Sequence, residues 1–425
     1  MSTEEEEDTD TKLAILSSLF PCLDSSAVFE ALIVAEGSVS KATQSLQFVH
    51  GQSEPPRKRP KAGIPGQQLS IRKFHALGPQ APVRRTIKKG QTLHLYDADD
   101  IANHTPCSII HNFLPPDEAN NILLELLEEA KTFENPSFKL FDNVVQSPHT
   151  SCFYVETAQE QDVQQKEYVY NGSYLSDVRR ITPKMGAVSV KVEAAVNDEI
   201  AKRIRDFYPH GKKLRFQSPH RWKPNAAFVN CYASAQESVG AHADQLTYLG
   251  PRAIIGSLSL GVAREFRVRK IVPKDEDKSK DIGLTSPRKR KASDTADEEG
   301  QVAIHLPHNS LLVMHAEMQE EWKHAIAPAA TVTPHPVAGT KRINVTYRHY
   351  RSEFHPKYTP KCKCGVPTVL RCVQRKKDNH GRYMWMCHAG YTPGQEACGF
   401  FQWAHFDDDG NPEWAQSGQN LVHSP

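Results

Sequence analysis

Apolar residues in the first fifty positions recur at helical spacing. Leu13, Leu16, Leu19 and Phe20 fall on one face, and Pro21 ends the stripe. Asp24 or Ser25 can cap a second stretch bearing Val28, Phe29, Leu32 and Ile33. Gly37 separates it from a third with Val39, Ala42 and Leu46, so residues 11–49 read as a small three-helix domain. The pattern then lapses, and Pro, Gly, Lys and Arg dominate 50–91, as in a disordered basic linker. From 92 to 352 it returns as a mixed α/β segment. Pro116-Asp117-Glu118 begins a helix with Ile122, Leu123, Leu126, Leu127 and Ala130 on one stripe. Strand-like runs follow at Ala227–Tyr232, Ala253–Leu260, Ser310–Met314 and Ile343–Tyr347, which predicts a sheet-rich core with helices against it. Residues 271–300 carry charge, Ser, Thr and Pro without periodicity and read as a disordered insertion between two strands. A small unit over 359–406 and a flexible tail over 407–425 complete a multidomain α+β organisation.

Charge and composition narrow the class. Lys+Arg is 52 against Asp+Glu 50, so the net charge of +2 says less than its placement: MSTEEEEDTD is acidic, whereas Arg57-Lys58-Arg59 and Arg288-Lys289-Arg290-Lys291 are basic clusters that read as nuclear import signals. Ser286-Pro287 beside the second cluster is open to phosphorylation. No apolar run approaches the ~20 residues of a membrane span, and the start lacks the basic and apolar regions of a signal peptide. Five of nine cysteines, Cys362, Cys364, Cys372, Cys387 and Cys398, crowd the C-terminal part, which in an intracellular chain points to metal before disulfide. A nuclear protein with no membrane role is the expectation.

The chemistry starts at His242-Ala243-Asp244. On a strand, residues i and i+2 share a face, so both side chains can grip one ion. His324 offers a second imidazole downstream. Two His and one carboxylate leave three positions open on a metal, the facial triad of non-haem Fe(II) oxygenases. Alternation along Arg342-Ile343-Asn344-Val345-Thr346-Tyr347-Arg348 puts Arg342, Asn344, Thr346 and Arg348 on one face, where two guanidiniums can hold a dicarboxylate.

Asn230-x-Tyr232, His242-x-Asp244, His324 and Arg342-x-Asn344-x-Thr346-x-Arg348 together resemble the AlkB family over about 92–352. The resemblance implies a double-stranded β-helix (jelly roll) and an Fe(II)- and 2-oxoglutarate-dependent dioxygenase. His242, Asp244 and His324 would bind iron. Arg342 would pair with the distal carboxylate of 2-oxoglutarate, with Asn230, Tyr232, Asn344 and Arg348 completing that pocket. The implied reaction consumes O2 and 2-oxoglutarate and oxidises an N-linked methyl group of 1-methyladenine or 3-methylcytosine type. Formaldehyde and succinate leave, which is direct repair of DNA alkylation damage. A base reaches such a site by leaving the stack. Phe153, Tyr168, Tyr170, Tyr174, Phe216 and Trp222, with Arg179, Arg180 and Arg221, are candidate walls for it, each more often core singly. Repair members tend to be acidic two positions after the carboxylate ligand, where this chain has Leu246, so the preferred lesion stays open.

Cys362-x-Cys364-Gly365, Gly381-Arg382-Tyr383, Cys387 and Cys398-Gly399-Phe400 resemble the GRF zinc finger, which implies a small zinc-ribbon-like finger with structural Zn2+. Cys362, Cys364, Cys387 and Cys398 are the assigned ligands and Cys372 the bystander; the alternative puts Cys372 or His388 in one of the four places. Arg371, Arg375, Lys376, Lys377 and Arg382 lie among Tyr383, Trp385, Phe400, Phe401 and Trp403, a composition suited to gripping single-stranded nucleic acid.

The N-terminal helices around Leu19-Phe20-Pro21 resemble the CUE ubiquitin-binding modules, with Ser45-Leu46 in place of the usual di-leucine, which implies ubiquitin as a partner through residues 11–49. Gln68-Leu69-Ser70-Ile71-Arg72-Lys73-Phe74-His75 resembles a sliding-clamp (PCNA) peptide with His75 at its second aromatic position. DNA, single-stranded or alkylated, is the first substrate reading. An RNA demethylase of the same mechanism and a non-catalytic scaffold joining ubiquitin to nucleic acid are its rivals, with a protein hydroxylase weaker because it leaves the finger unexplained.

Overall fold

The computed structural model describes residues 90–140, 143–170, 172–273, 300–392 and 395–416, with isolated positions between 31 and 46. The chain divides into two compact units, Met1–Gln80 and Ala81–Pro425. In the first, Leu32, Ala35, Ala42 and Leu46 are buried, and Ala35 N–H donates to the Ala31 carbonyl as in a helix. The remainder of the three-helix domain, the clamp-like peptide Gln68–His75, nearly all of the linker, residues 274–299 of the insertion and the end of the tail lie outside the described residues. No described helix is long and apolar enough to cross a membrane.

Two sheets dominate the second unit. Seven strands run in the order Cys107–His111, Ser310–Met314, Ile255–Gly261, Arg342–Arg348, Ala226–Tyr232, Thr150–Val155 and Val178–Arg180. Five run Thr92–Leu95, Gln301–Leu306, Arg264–Lys270, Trp322–Ile326 and Val239–His242. Side chains from both sheets meet in one core, with Phe266, Val268 and Ile304 against Ile109, Ile255 and Leu312. This is a jelly-roll-like core.

Strand alternation sorts the seven-stranded sheet into two faces. Ile343, Val345, Leu258, Leu260, Leu311 and Val313 join Ile122, Leu123, Leu126, Val188, Val192 and Val196 of the helices Pro116–Glu129 and Pro183–Phe207. The opposite face therefore carries Arg342, Asn344 and Thr346 with Ser257 and Ser259 between the sheets. The helix Pro183–Phe207 has no counterpart in the sequence expectations. Its start is written in Thr182-Pro183: the Thr182 hydroxyl accepts from Met185 N–H at 3.2 Å, and Pro occupies the first turn, where no donor is needed.

The largest departure concerns the C-terminal part. The strands Val369–Cys372, Tyr383–Met386 and Phe401–Ala404 form their own sheet, yet Leu370, Tyr383 and Trp385 are buried in the same core as Leu246, Phe354 and Phe266. Residues 407–416, expected as flexible tail, pack on the oxygenase. Phe216 N–H donates to the Asp408 carbonyl, Arg351 to the Gly410 carbonyl and Asn411, and the Trp414 indole to the Glu353 carbonyl. The reason is unfinished burial: a three-stranded sheet of this size cannot cover Trp385 alone.

Gly261 ends the strand beside Arg342 with φ of 88°, and a Cβ there would sit 2.3 Å from the Lys341 carbonyl oxygen. Gly261→Ala is expected to remove about 1–3 kcal/mol of stability, read as a lowered Tm in thermal unfolding.

Candidate metal and co-substrate site

His242 and His324 face each other across the antiparallel strands Val239–His242 and Trp322–Ile326, with ring centroids 4.3 Å apart. Asp244 lies just beyond the first strand. Its Oδ1 is 3.6 Å from His242 Nε2 and 3.4 Å from His324 Nε2, so three donor atoms converge on one point. His242 Nδ1 lies 2.9 Å from the Gly240 carbonyl, which fixes the tautomer with Nδ1–H donating and Nε2 free to ligate. Burial, helped by the neighbouring His242, pushes the His324 imidazolium down to about 4, so the ring is neutral, as a ligand must be.

Asp244 is shaped from three sides. Burial opposes its charge, but Arg348 and the two imidazoles hold the carboxyl well below the usual range. Arg348 donates to Oδ2 through Nε at 2.8 Å and Nη2 at 2.6 Å, leaving Oδ1 turned to the histidines. Asp244 N–H donates to Oε1 of buried Gln319 at 2.7 Å. Arg348, expected in the 2-oxoglutarate pocket, is tied to an iron-ligand candidate through Nε and Nη2. The sequence put it on the correct face but could not say which neighbour would claim it.

Arg342 lies deeper. Its Nη2 donates to Asn344 Oδ1 at 2.7 Å and to Ser259 Oγ at 2.8 Å, while Nε and Nη1 have no partner. Ser257 and Thr346 hold Asn344 in turn. Among the described residues no carboxylate pairs with Arg342, and burial pulls its guanidinium down to about 10. The Tyr232 ring lies 5.3 Å from the guanidinium and stacks on His149 at 4.7 Å. His149, which interacts with Asn230, is a site residue that no sequence motif marked. Gln319, Thr247 and Arg264 were likewise unmarked.

The donor sets suit the groups that the fold uses. Two imidazoles and a carboxylate fit Fe(II), and a buried guanidinium whose Nε and Nη1 are unpartnered among the described residues fits a carboxylate of 2-oxoglutarate. In the C-terminal sheet the sulfurs of Cys362, Cys364, Cys387 and Cys398 lie within 4.8 Å of one another, as a tetrahedral zinc requires. Cys372 is not in that group, and burial pushes its thiol up to about 12. His388 also lies outside the group, with its ring against Tyr391.

The profile of the 2OG-Fe(II) oxygenase superfamily matches residues 106–348, more than half of the chain. The chain belongs to that superfamily. A second profile, the GRF zinc finger, matches residues 360–407. Membership brings Fe(II), 2-oxoglutarate and O2 to the oxygenase, and a structural zinc to the finger. The chain is 35% identical over 125 residues to the DNA oxidative demethylase ALKBH2 of Arabidopsis thaliana, a stretch covering 29% of this chain and 37% of that one. It is 32% identical over 124 residues to the human alpha-ketoglutarate-dependent dioxygenase alkB homolog 3, covering 29% and 36%. The matched stretch thus spans little more than a third of each relative, and in it the oxygenase is AlkB-like.

The candidate base-contacting residues divide. Phe153 is core, Trp222 donates its indole N–H to the Ile254 carbonyl, and Tyr168 is buried. Phe216 packs edge-on to Tyr383 of the finger. Arg179 is tied to Asp177 and Glu129, and Arg221 to Glu193. Tyr170 remains near the metal site, its phenol pushed up by burial against the pull of Arg348, and Tyr174 on the adjoining strand is 56% exposed. In the finger, Tyr383 and Trp385 are core, whereas Phe401 is 51% exposed beside Trp403, over which Arg382 lies at 3.8 Å.

The sulfur cluster makes a direct prediction. Cys387→Ser should lose the finger's zinc, and Cys372→Ser should keep one zinc per chain, measured by elemental analysis of the purified protein.

Proposed function

We propose that this protein is an oxidative demethylase of N-methylated bases in DNA, acting on single strands or flipped bases of the 1-methyladenine and 3-methylcytosine type. The observation that carries it is the pairing of a converged His242–Asp244–His324 donor set on one sheet with a buried, carboxylate-seeking Arg342 on the other. His242, Asp244 and His324 hold Fe(II), and Arg342, backed by Asn344 and Ser259, takes the distal carboxylate of 2-oxoglutarate. Asn230 and Tyr232 wall that pocket. Arg348 keeps Asp244 charged and aimed. Iron and 2-oxoglutarate together supply the oxidation of the methyl group; the chain positions the base and keeps water out.

DNA is favoured by the relatives and by the finger. The plant relative is named a DNA oxidative demethylase. The Phe401–Trp403 pair with Arg382 offers one base-stacking and phosphate-binding platform, and Tyr174 offers an exposed aromatic face on the hairpin that carries Tyr170. Cys362, Cys364, Cys387 and Cys398 hold the zinc that keeps the platform in shape. Action in the nucleus, with recruitment through ubiquitin at residues 11–49 and a sliding clamp at Gln68–His75, completes the reading.

The deciding assay is formaldehyde release and base restoration on single-stranded DNA carrying 1-methyladenine or 3-methylcytosine. Parent protein with Fe(II), 2-oxoglutarate and ascorbate should restore the base, and His242→Ala should not. Restoration of methylated RNA alone would move the substrate to RNA, and folded, iron-loaded protein inert on both would favour a scaffold. Arg342→Met leaves the co-substrate without its buried cation. Loss of one partner of such a pair is worth about 2 kcal/mol or more, so 2-oxoglutarate affinity should fall roughly 30-fold or more in calorimetric titration.

A further inference from the structure

The finger touches three segments near the proposed iron ligands. Leu370 N–H, on its first strand, donates to Thr247 Oγ1 at 3.2 Å, three residues after Asp244. Gln374 Nε2 donates to the Gln319 backbone carbonyl at 2.8 Å, and the Gln319 side chain is the one that accepts from Asp244 N–H. Tyr383 OH donates to Glu320 Oε1 at 3.0 Å, in the short helix Met318–Glu321 that leads directly into the strand bearing His324. Thr392 Oγ1 donates to the Gly172 carbonyl at 2.8 Å, in the turn between the strands carrying Tyr170 and Tyr174. Gly172 has φ of 85°, and a Cβ there would meet Thr392 N at 2.8 Å, so the two backbones are in close approach.

These contacts are polar, those at Thr247 and Glu320 buried and those at the Gln319 and Gly172 carbonyls part-buried. Gln319 is 1% exposed and Thr247 is also 1% exposed, so a hydrogen bond lost at either place is not replaced by water. Leu246, between Asp244 and Thr247, belongs to the core that Leu370, Tyr383 and Trp385 complete. Leu246 is buried in that shared core. A tethered finger would need none of this.

We propose that the zinc finger is a positioning element of the iron site: it clamps the 244–249 turn and the 318–321 helix through Thr247 and Gln319, and so fixes where Asp244 and His324 present their ligand atoms. The proposal rests on those two residues with His242 being the iron ligands. Zinc, by holding the strand Val369–Cys372 and Gln374 in register, is thereby coupled to iron affinity. Thr247, Gln319 and Gln374 are positioning residues and touch no reactant.

The test uses full-length, zinc-loaded protein and needs no nucleic acid, so it stands apart from the identity of the substrate. Fe(II) affinity is measured anaerobically by titration in the presence of 2-oxoglutarate, for the parent, Thr247→Val, Gln374→Ala and their double variant. None of these removes a zinc or iron ligand. Outer contacts to metal ligands typically control affinity by about 10- to 100-fold, and the double variant should weaken Fe(II) binding within that range. Its zinc content should remain one per chain and the KM for 2-oxoglutarate close to parent, with the Tm lowered by no more than the two lost hydrogen bonds explain. Thr247→Ser, which keeps the hydroxyl, should bind iron like the parent. A change in Fe(II) affinity below about threefold in the zinc-retaining double variant overturns the proposal. So does a parallel rise in the KM for 2-oxoglutarate with a Tm fallen beyond that, which would mean general loosening. A parent protein that binds no Fe(II) would instead overturn the ligand assignment itself.

Discussion

The negative charge of Asp244 is the constraint on which the site depends. A buried carboxylate is unfavourable unless its oxygens and neighbouring charges are satisfied, and here each oxygen has a separate task. Oδ2 is taken by the Arg348 fork, which leaves Oδ1 facing two imidazole nitrogens at metal-ligand separation. Backbone and turn follow from that placement, because Asp244 N–H is anchored on Gln319 and the turn closes with Gly250 N–H on the Leu246 carbonyl. The strand pairing of His242 with His324 supplies the remaining geometry.

A second charge works by being incomplete. Arg342 is buried with Nε and Nη1 unpartnered among the described residues, which suits a place where a ligand restores the balance. Its surroundings are small and polar on the inner face, Ser257, Ser259, Asn344 and Thr346, while the same strands turn leucine, isoleucine and valine to the helices. Strand periodicity thus separates a dry structural face from a ligand-binding one within a single sheet.

The docked finger changes how the parts of the chain relate. A flexible attachment raises local concentration without altering the partner domain. Shared burial of Leu246, Leu370, Tyr383 and Trp385, with hydrogen bonds to segments next to Asp244 and His324, joins the two zones within the second unit. The exposed Phe401 and Trp403 then stand at a set place relative to the hairpin of Tyr170 and Tyr174, and do not range freely around it.

Sequence alone determined what depends on local period and residue chemistry. Two-residue alternation put Arg342, Asn344, Thr346 and Arg348 on one face, and the His-x-Asp spacing with the distant His324 named a facial metal set that the fold brings together. The strand boundaries followed to within a residue or two, as did the helix starting at Pro116. Tertiary structure decided what depends on which distant surfaces meet. It tied Arg348 to Asp244, and placed His149 against Tyr232. It also turned Tyr383 and Trp385 from a candidate stacking surface into core. It buried Leu246 in the core shared with the finger and set Gln319, invisible as a motif, between Gln374 and Asp244. A side chain's period is a property of its own strand, whereas its partner is chosen by the burial of another part of the chain.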